Sequence, residues 1–295
     1  MRLSAVALAL VLSAAPAAIA AARAQPPPVF GVDVAVVRVE ALVTDRGRPV
    51  RGLRASDFEV LDQGRPQPIE PILEERAPAD AVLVLDSSYS VSGPKLEALR
   101  DAAGALLDGL GPDETATLLS FRYRTSLVEP ATVDKARVRA ALARIQPFGG
   151  TAVRDAVYAG LRARDASERR TAVVVFSDGL DNLSWLAAAD VIEAARRSQA
   201  IVYAVSARAN GERSDTFLRD VAAATGGRLF TVSDAKGLRS SFLDVLEDIR
   251  SRYVLRFSPS PGSAGWHPLQ VRLRNGKKGD VLAKEGYWSP GTRSP

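Results

Sequence analysis

The 295-residue sequence has no cysteine and a single histidine, His267. Disulfides, thiolate catalysis and Cys-ligated zinc are therefore excluded. A histidine base would have to come from that one residue. His267 precedes Pro268 in a C-terminal stretch far from Asp86 in sequence, and it reads as a solvated loop residue, which argues against a Ser-His-Asp hydrolase. Aromatic residues make up 6% of the chain against 46% hydrophobic overall, so the core must lean on Val, Leu, Ile and Ala. A block of like charge is also missing. The formal net charge is +5, but basic residues alternate with acidic ones. The basic stripe needed to neutralise phosphates is absent, which argues against a nucleic-acid footprint. Neither a G-x-S-x-G elbow nor a phosphate-cradling glycine loop stands out.

What is present begins with Met1-Arg2, an Ala/Leu/Val run from Leu3 to Ala22, and the small-residue pattern Ala22-Arg23-Ala24. This is the order of a secretory signal peptide, so residues 1–24 are expected to be removed and the rest exported to the periplasm or beyond the cell. Loss of Arg2 and Arg23 leaves a chain close to neutral. Pro16 interrupts the run, which makes it a poor permanent span, and no later segment is apolar enough to cross a bilayer. Residues 25–28, with Pro26-Pro27-Pro28, read as an extended leader.

Two textures follow. Over 29–77, Val37, Val39, Ala41 and Val43 alternate with Arg38, Glu40, Leu42 and Thr44, the period of a half-buried strand. Turns are expected at Asp45-Arg-Gly-Arg48 and Asp62-Gln-Gly64. From 79 to 251 strands and helices alternate instead. The continuous apolar runs Ala81–Leu85 and Thr171–Phe176 suit parallel strands buried on both faces. This predicts an α/β, doubly wound, mostly parallel sheet, with ligands at the carboxyl ends of its strands. Alternation by twos returns over 252–290, and Asn275-Gly276 predicts a hairpin. Neither β-rich flank has strands enough to bury a face alone, so the two are expected to form one discontinuous domain.

Three short segments carry the chemistry. Asp86, Ser88 and Ser90 form a D-x-S-x-S pattern after the first buried strand. Phe148-Gly-Gly-Thr151 places a hydroxyl at a helix start. Asp178 follows the second buried strand. Singly, each has a plain reading as a helix cap or a turn. Together they put oxygen donors on one edge of the sheet, as hard cations such as Mg²⁺ prefer. With few carboxylates, a bound ion would keep positive charge and seek an anion. Asp155 either orients Thr151 or a metal-bound water, or is an ordinary acidic residue in a first helical turn. Arg122, Tyr123, Arg124, Arg154 and Arg208 are either a ligand rim on the same edge or solvated surface residues. An aspartyl phosphotransferase could use Asp86, but such enzymes pair it with a carboxylate two residues on, where this chain has Ser88.

On these residues the chain resembles von Willebrand factor type A domains with a metal-ion-dependent adhesion site. The resemblance implies that Ser88, Ser90 and Thr151 bind Mg²⁺ or Mn²⁺ directly, with Asp86 and Asp178 acting mostly through water. It also implies a non-enzymatic role, in which an Asp or Glu from a protein partner completes the coordination. Val43-Thr-Asp, Gly52-Leu53, Asp57-Phe58 and Asp62-Gln-Gly64 upstream, with Tyr253, Pro259 and Gly286-Tyr287 downstream, look like the exported bacterial "VWFA-related" proteins typified by Acidobacteria. The expected function is a metal-dependent adhesion or envelope-assembly module. The alternatives are an envelope scaffold with a purely structural metal and a metal-assisted phosphohydrolase.

Overall fold

The computed structural model describes residues 36–70, 78–163, 169–178, 181–207, 216–259, 264–289 and 291. The expected signal peptide and leader, Arg208 and Gly179 lie outside these residues. The N-terminal flank holds β1 (Val37–Asp45), β2 (Arg48–Pro49), β3 (Phe58–Asp62) and β4 (Arg65–Gln67). The α/β part runs β5 (Ala79–Asp86), α1 (Pro94–Gly109), β6 (Ala116–Phe121), β7 (Thr125–Thr132), α2 (Lys135–Ala143), α3 (Val153–Arg162) and β8 (Arg170–Ser177). It continues through α4 (Ala188–Arg197), β9 (Ile201–Ser206), α5 (Thr216–Ala224), β10 (Leu229–Thr231) and α6 (Ala235–Arg250). The C-terminal flank holds β11 (Tyr253–Phe257), β12 (Gly265–Leu273), β13 (Asp280–Leu282) and β14 (Gly286–Ser289).

The continuous apolar runs become the centre of a six-stranded sheet in the order β10-β9-β8-β5-β6-β7, parallel except for β7 at the edge. Strands β5 and β8 are buried at every position. Their residues divide by twos. Leu83, Leu85, Val174 and Phe176 pack with α1, α2 and α6, while Val82, Val84, Val173 and Val175 pack with α3, α4 and α5. The chain leaves β5 toward β6 and returns on the other side at β8, so the strand order reverses between β5 and β8. That is where a doubly wound sheet opens a crevice at its carboxyl edge.

The flanks pair with each other. Strand β1 lies between β11 and β13, and β3 lies between β12 and β4, all antiparallel. Arg46-Gly47 and Gln63-Gly64 both adopt left-handed backbone, which makes the two expected turns two-residue hairpin loops. The two small sheets enclose a core of Val39, Ala41, Val43, Phe58, Val60, Leu255, Phe257, Leu269 and Val271. The alternation expected for β1 holds on this face, but Leu42 on the other is also buried. That outer face is not solvated: Glu40 on it pairs with Arg170 at 2.9 Å.

Two expectations fail in this region. Asn275 and Gly276 do turn left-handed, and Lys277 N–H donates to the Arg274 carbonyl, yet no hairpin follows. Strand β12 joins β3 while β13 crosses to β1 in the other small sheet. His267 is not a solvated loop residue. It lies buried on β12, opposite Tyr287 of β14, with its ring 3.6 Å from Asp62 and 3.2 Å from the Tyr287 hydroxyl. Tyr287 in turn donates to Asp62. Burial first, and then the Asp62 charge, push the Tyr287 hydroxyl above its ordinary pKa, so it remains a donor.

Arginines join the sandwich to the α/β part at the edge where the parallel strands begin. Arg170 reaches Glu40 and the Ile249 carbonyl. Arg252 reaches the Tyr203 hydroxyl and the carbonyls of Gly226 and Glu40. Arg228 bridges Asp248 and the Gly47 carbonyl. Planar guanidiniums suit such multi-acceptor positions because their donors form a fixed fork.

Two predictions follow from this packing. Removing residues 253–295 strips β11 and β13 from β1 and β12 from β3, leaving each with only its short hairpin partner, so residues 37–67 should become open to protease under native conditions; persistent protection would count against the pairing. The second concerns Lys284, whose Nζ donates to the Ser198 carbonyl at 2.5 Å. Burial lowers its pKa to about 8. Above that pH the folded state has released a proton that the unfolded chain still holds up to its ordinary pKa. Stability should therefore rise with pH across that window, by at most about 1.4 kcal/mol per unit. The difference between wild type and Lys284→Met in urea melts at pH 7, 8, 9 and 10 should show that slope; a flat difference would refute it.

Candidate functional site

The parallel register that ends at Leu85–Phe176 brings the chain's two strand-end carboxylates to one edge. Asp86 is fully buried, and its two oxygens accept from Ser88 N–H at 2.8 Å and Ser177 Oγ at 2.9 Å. Burial pushes its pKa up to about 6, against the pull of those donors and with help from the Asp178 charge. After Asp86 the chain enters a short 3-10 turn at Tyr89–Val91. This turn brings Ser90 back beside Ser88: their hydroxyls are 2.9 Å apart, and Ser90 Oγ donates to Asp178 Oδ1 at 2.6 Å. Four of the five expected ligands thus form one hydrogen-bonded group.

Thr151 arrives by a different route. The loop before it lies along the Asp86–Ser90 segment, with Phe148 N–H donating to the Ser87 carbonyl and Tyr89 N–H to the Gly149 carbonyl. Both glycines are required. Gly149 has φ +74, and a Cβ on Gly150 would lie 2.8 Å from Leu183 and 3.0 Å from the Asn182 side chain. Thr151 is buried, and its N–H donates to Asn182 Oδ1 at 3.0 Å.

Of the residues that hold this arrangement, Asp155 and Arg154 were named from the sequence, whereas Asp181, Asn182 and Lys95 were not legible as site residues. Asp181 and Asn182 read as loop and cap positions, and they do cap a helix, but the helix is α3 across the loop. Asp181 and the Ser184 hydroxyl accept from Arg154 N–H, and Asn182 fixes Thr151. Burial alone would raise the Asp181 pKa, yet donors from Ser184 and Arg154 hold it below the usual carboxylate range. Asp155 accepts from the N–H groups of Trp185 and Leu186, which pins the same loop. Lys95 was missed altogether. Its ammonium lies 2.5 Å from Asp178 Oδ2, one residue into α1. A lysine at a helix start looks unremarkable until the fold brings Asp178 to it from 83 residues away.

The expected rim separates into two kinds. Arg154 is tied to Asp181 at 3.1 Å. Arg122 and Arg124 stack on Tyr123 at 5.5 and 5.3 Å, and Arg122 also lies over Phe148. Tyr89, Phe148 and Tyr123 form an exposed aromatic cluster beside the serines, with ring centroids 5.4 and 6.3 Å apart.

The donor set fits a hard divalent cation. It consists of two hydroxyls in contact, a carboxylate bonded to one of them and a second carboxylate behind, all oxygen. Among the described residues no group of three or more His, Cys, Asp or Glu side chains could hold a metal. A site here must therefore use hydroxyls as ligands, which leaves the ion undercompensated.

A doubly wound α/β sheet with Asp, Ser, Ser and Asp at its reversal point defines a class, and comparison with known proteins gives it a name. Residues 81–180 match the family model of the von Willebrand factor type A domain. Human inter-alpha-trypsin inhibitor heavy chain H4 is 33% identical over 97 residues, which cover 31% of this chain and 10% of that protein. The chain thus spans only a small part of that relative's length. A von Willebrand factor type A structure from Catenulispora acidiphila superposes with a TM-score of 0.55 at 14% identity, covering 85% of this chain and 73% of that one. The proximal thread matrix protein 1 of the mussel byssus, with zinc in its metal-ion-dependent adhesion site, gives 0.51 at 19% identity over 60% and 47%. Over residues 81–180 the α/β part of this chain thus matches the von Willebrand factor type A domain, and it shares that domain's fold with the solved structures.

The hydroxyl that Ser177 presents to buried Asp86 gives a test of the site's internal economy. Ser177→Ala removes one donor from a fully buried carboxylate and should cost about 1–3 kcal/mol in urea unfolding at pH 7 with chelator present. An unchanged midpoint would show that the bond contributes nothing.

Proposed function

We propose that this chain is an exported, non-enzymatic module that binds a protein partner through a divalent metal, Mg²⁺ or Mn²⁺. Asp86, Ser88, Ser90, Thr151 and Asp178 would hold the ion. A bound ion supplies a positive centre that takes a partner's Asp or Glu carboxylate. The observation that carries this reading is the Ser88–Ser90–Asp178 chain of oxygens at the strand reversal, set on a fully buried Asp86. The surrounding surface supports it. Exposed aromatic side chains beside charged groups are the usual anchors of protein interfaces, and Tyr89, Phe148 and Tyr123 ring this edge. The flanking strands serve as a second, discontinuous domain that mounts the site. No helix among the described residues is long and apolar enough to cross a membrane.

One observation bears on the reading in which the metal is purely structural. Lys95 already places a positive charge on Asp178, so the carboxylate keeps a partner when no metal is bound. The loop therefore does not need the ion in order to fold, and ligand capture is the better use of it.

Millimolar Mg²⁺ or Mn²⁺ should raise the melting temperature, by a stabilisation of about 2.7 kcal/mol at a hundredfold excess over the dissociation constant. Asp86→Ala with Asp178→Ala should remove the shift while the protein still folds in EDTA. Absence of any metal-dependent shift in wild type would sink the proposal. A metal shift with binding of a glutamate-bearing partner undiminished in EDTA would leave only the scaffold reading.

A further inference from the structure

A cavity of about 250 Å³ opens beside the metal edge, between the β6–β7 turn and the C-terminal end of α2. Its wall includes Ser87, Ser120, Arg122, Arg124, Ser126 and Arg144, over an apolar floor, and no acidic residue lines it. The geometry points to an oxyanion-binding pocket, in which Arg122, Arg124 and Arg144 hold a carboxylate or phosphate-type group.

The argument rests on which charges are already satisfied. Other arginines of this region have carboxylate partners: Arg100 with Glu97, Arg137 with Glu129, Arg139 with Asp108 and Arg154 with Asp181. Among the described residues none of the three pocket guanidiniums forms an ion pair. Guanidiniums stay protonated at every accessible pH, so three of them around one cavity repel each other until an anion enters. Arg122 lies over Tyr123 and Phe148, and Arg124 over Tyr123. Forked guanidinium donors match planar carboxylate and tetrahedral phosphate oxygens, where an ammonium would act only as a point charge. The serines divide the work. Ser87 and Ser120 are bonded to each other at 2.7 Å, with Ser87 also on the Phe121 carbonyl, so their donors are spent. Ser126 is left to donate.

The pocket shares its walls with the metal edge. Ser87, which lines it, lies between Asp86 and Ser88, and the Arg122 carbonyl accepts from Ala152 N–H beside Thr151. An anion held here therefore sits next to the edge where a partner would dock. The inference stands without the metal, because none of the pocket's three arginines belongs to the expected ligand set.

The test is thermal melting and titration calorimetry in EDTA, with inorganic phosphate replacing chloride at constant ionic strength and succinate in a parallel series. Wild type should show a saturable rise in melting temperature with at least one of the two. A response to phosphate alone assigns a tetrahedral ligand, and one to succinate alone assigns a carboxylate. Arg124→Gln with Arg144→Gln should bind about tenfold more weakly or worse, since each loses a charged hydrogen bond. Arg137→Gln, which lies outside the pocket, should bind as wild type. Arg144→Gln alone, at an exposed helix end, gives the same reading should the double variant fail to fold. No saturable response to either anion, or an equal response in the arginine variants, would overturn the proposal.

Discussion

The parallel pairing of β5 with β8 is the constraint on which the site depends. Their common register runs from Ala79–Arg170 to Leu85–Phe176, so both strands stop together and their next residues meet. Asp86 and Ser177 share a hydrogen bond, and Asp178 follows within reach of Ser90 and Lys95. A slip by one residue would turn every core side chain to the opposite face of the sheet and part the carboxylates. The eight buried positions of each strand make such a slip costly. The core thus fixes the chemistry: Leu83, Leu85, Val174 and Phe176 on one face hold in place the polar group at the strand ends.

Much of this could be read from residue order, and the limits were physical. Buried parallel strands announce themselves as unbroken apolar runs, and β5 and β8 emerged within a residue or two of where those runs lie. The D-x-S-x-S segment and the Gly-Gly-Thr loop were visible because each needs a particular residue at a particular step. The missed parts all depend on contacts between distant segments. Asn182 looks like any loop asparagine until it meets Thr151, and Lys95 looks like any helix-start lysine until Asp178 arrives. His267 was misread because a Pro-flanked histidine is ordinarily exposed, whereas here β12 runs straight through His267 and Pro268 to pair with β14. Asn275-Gly276 gave the right turn and the wrong pairing, since local backbone preference cannot say which sheet the next strand will join.

The α/β part and the β-sandwich are joined by polar contacts between buried groups. Arg170 and Arg252 are each buried; Arg170 crosses the junction to Glu40, and Arg252 reaches Tyr203 and Gly226 on one side and Glu40 on the other. An apolar seam would tolerate sliding; this one has discrete donor and acceptor positions. Glu40 sits at its centre, taking Arg170 on its carboxylate and Arg252 on its carbonyl. Removing a single partner from such a network leaves a buried charge uncompensated, so the junction should fail as a unit.

The junction and the site lie at opposite ends of the same strands. Arg170, which grips the sandwich, begins β8, and Ser177, which touches Asp86, ends it, about 23 Å away at strand rise. A force applied between a partner at the carboxyl edge and whatever holds the sandwich would run along the strand axes. Such a load falls on the β5–β8 hydrogen bonds in shear, all together, and not one after another as in peeling. On the function proposed above, this orientation sets a partner's pull along the strands and not across them.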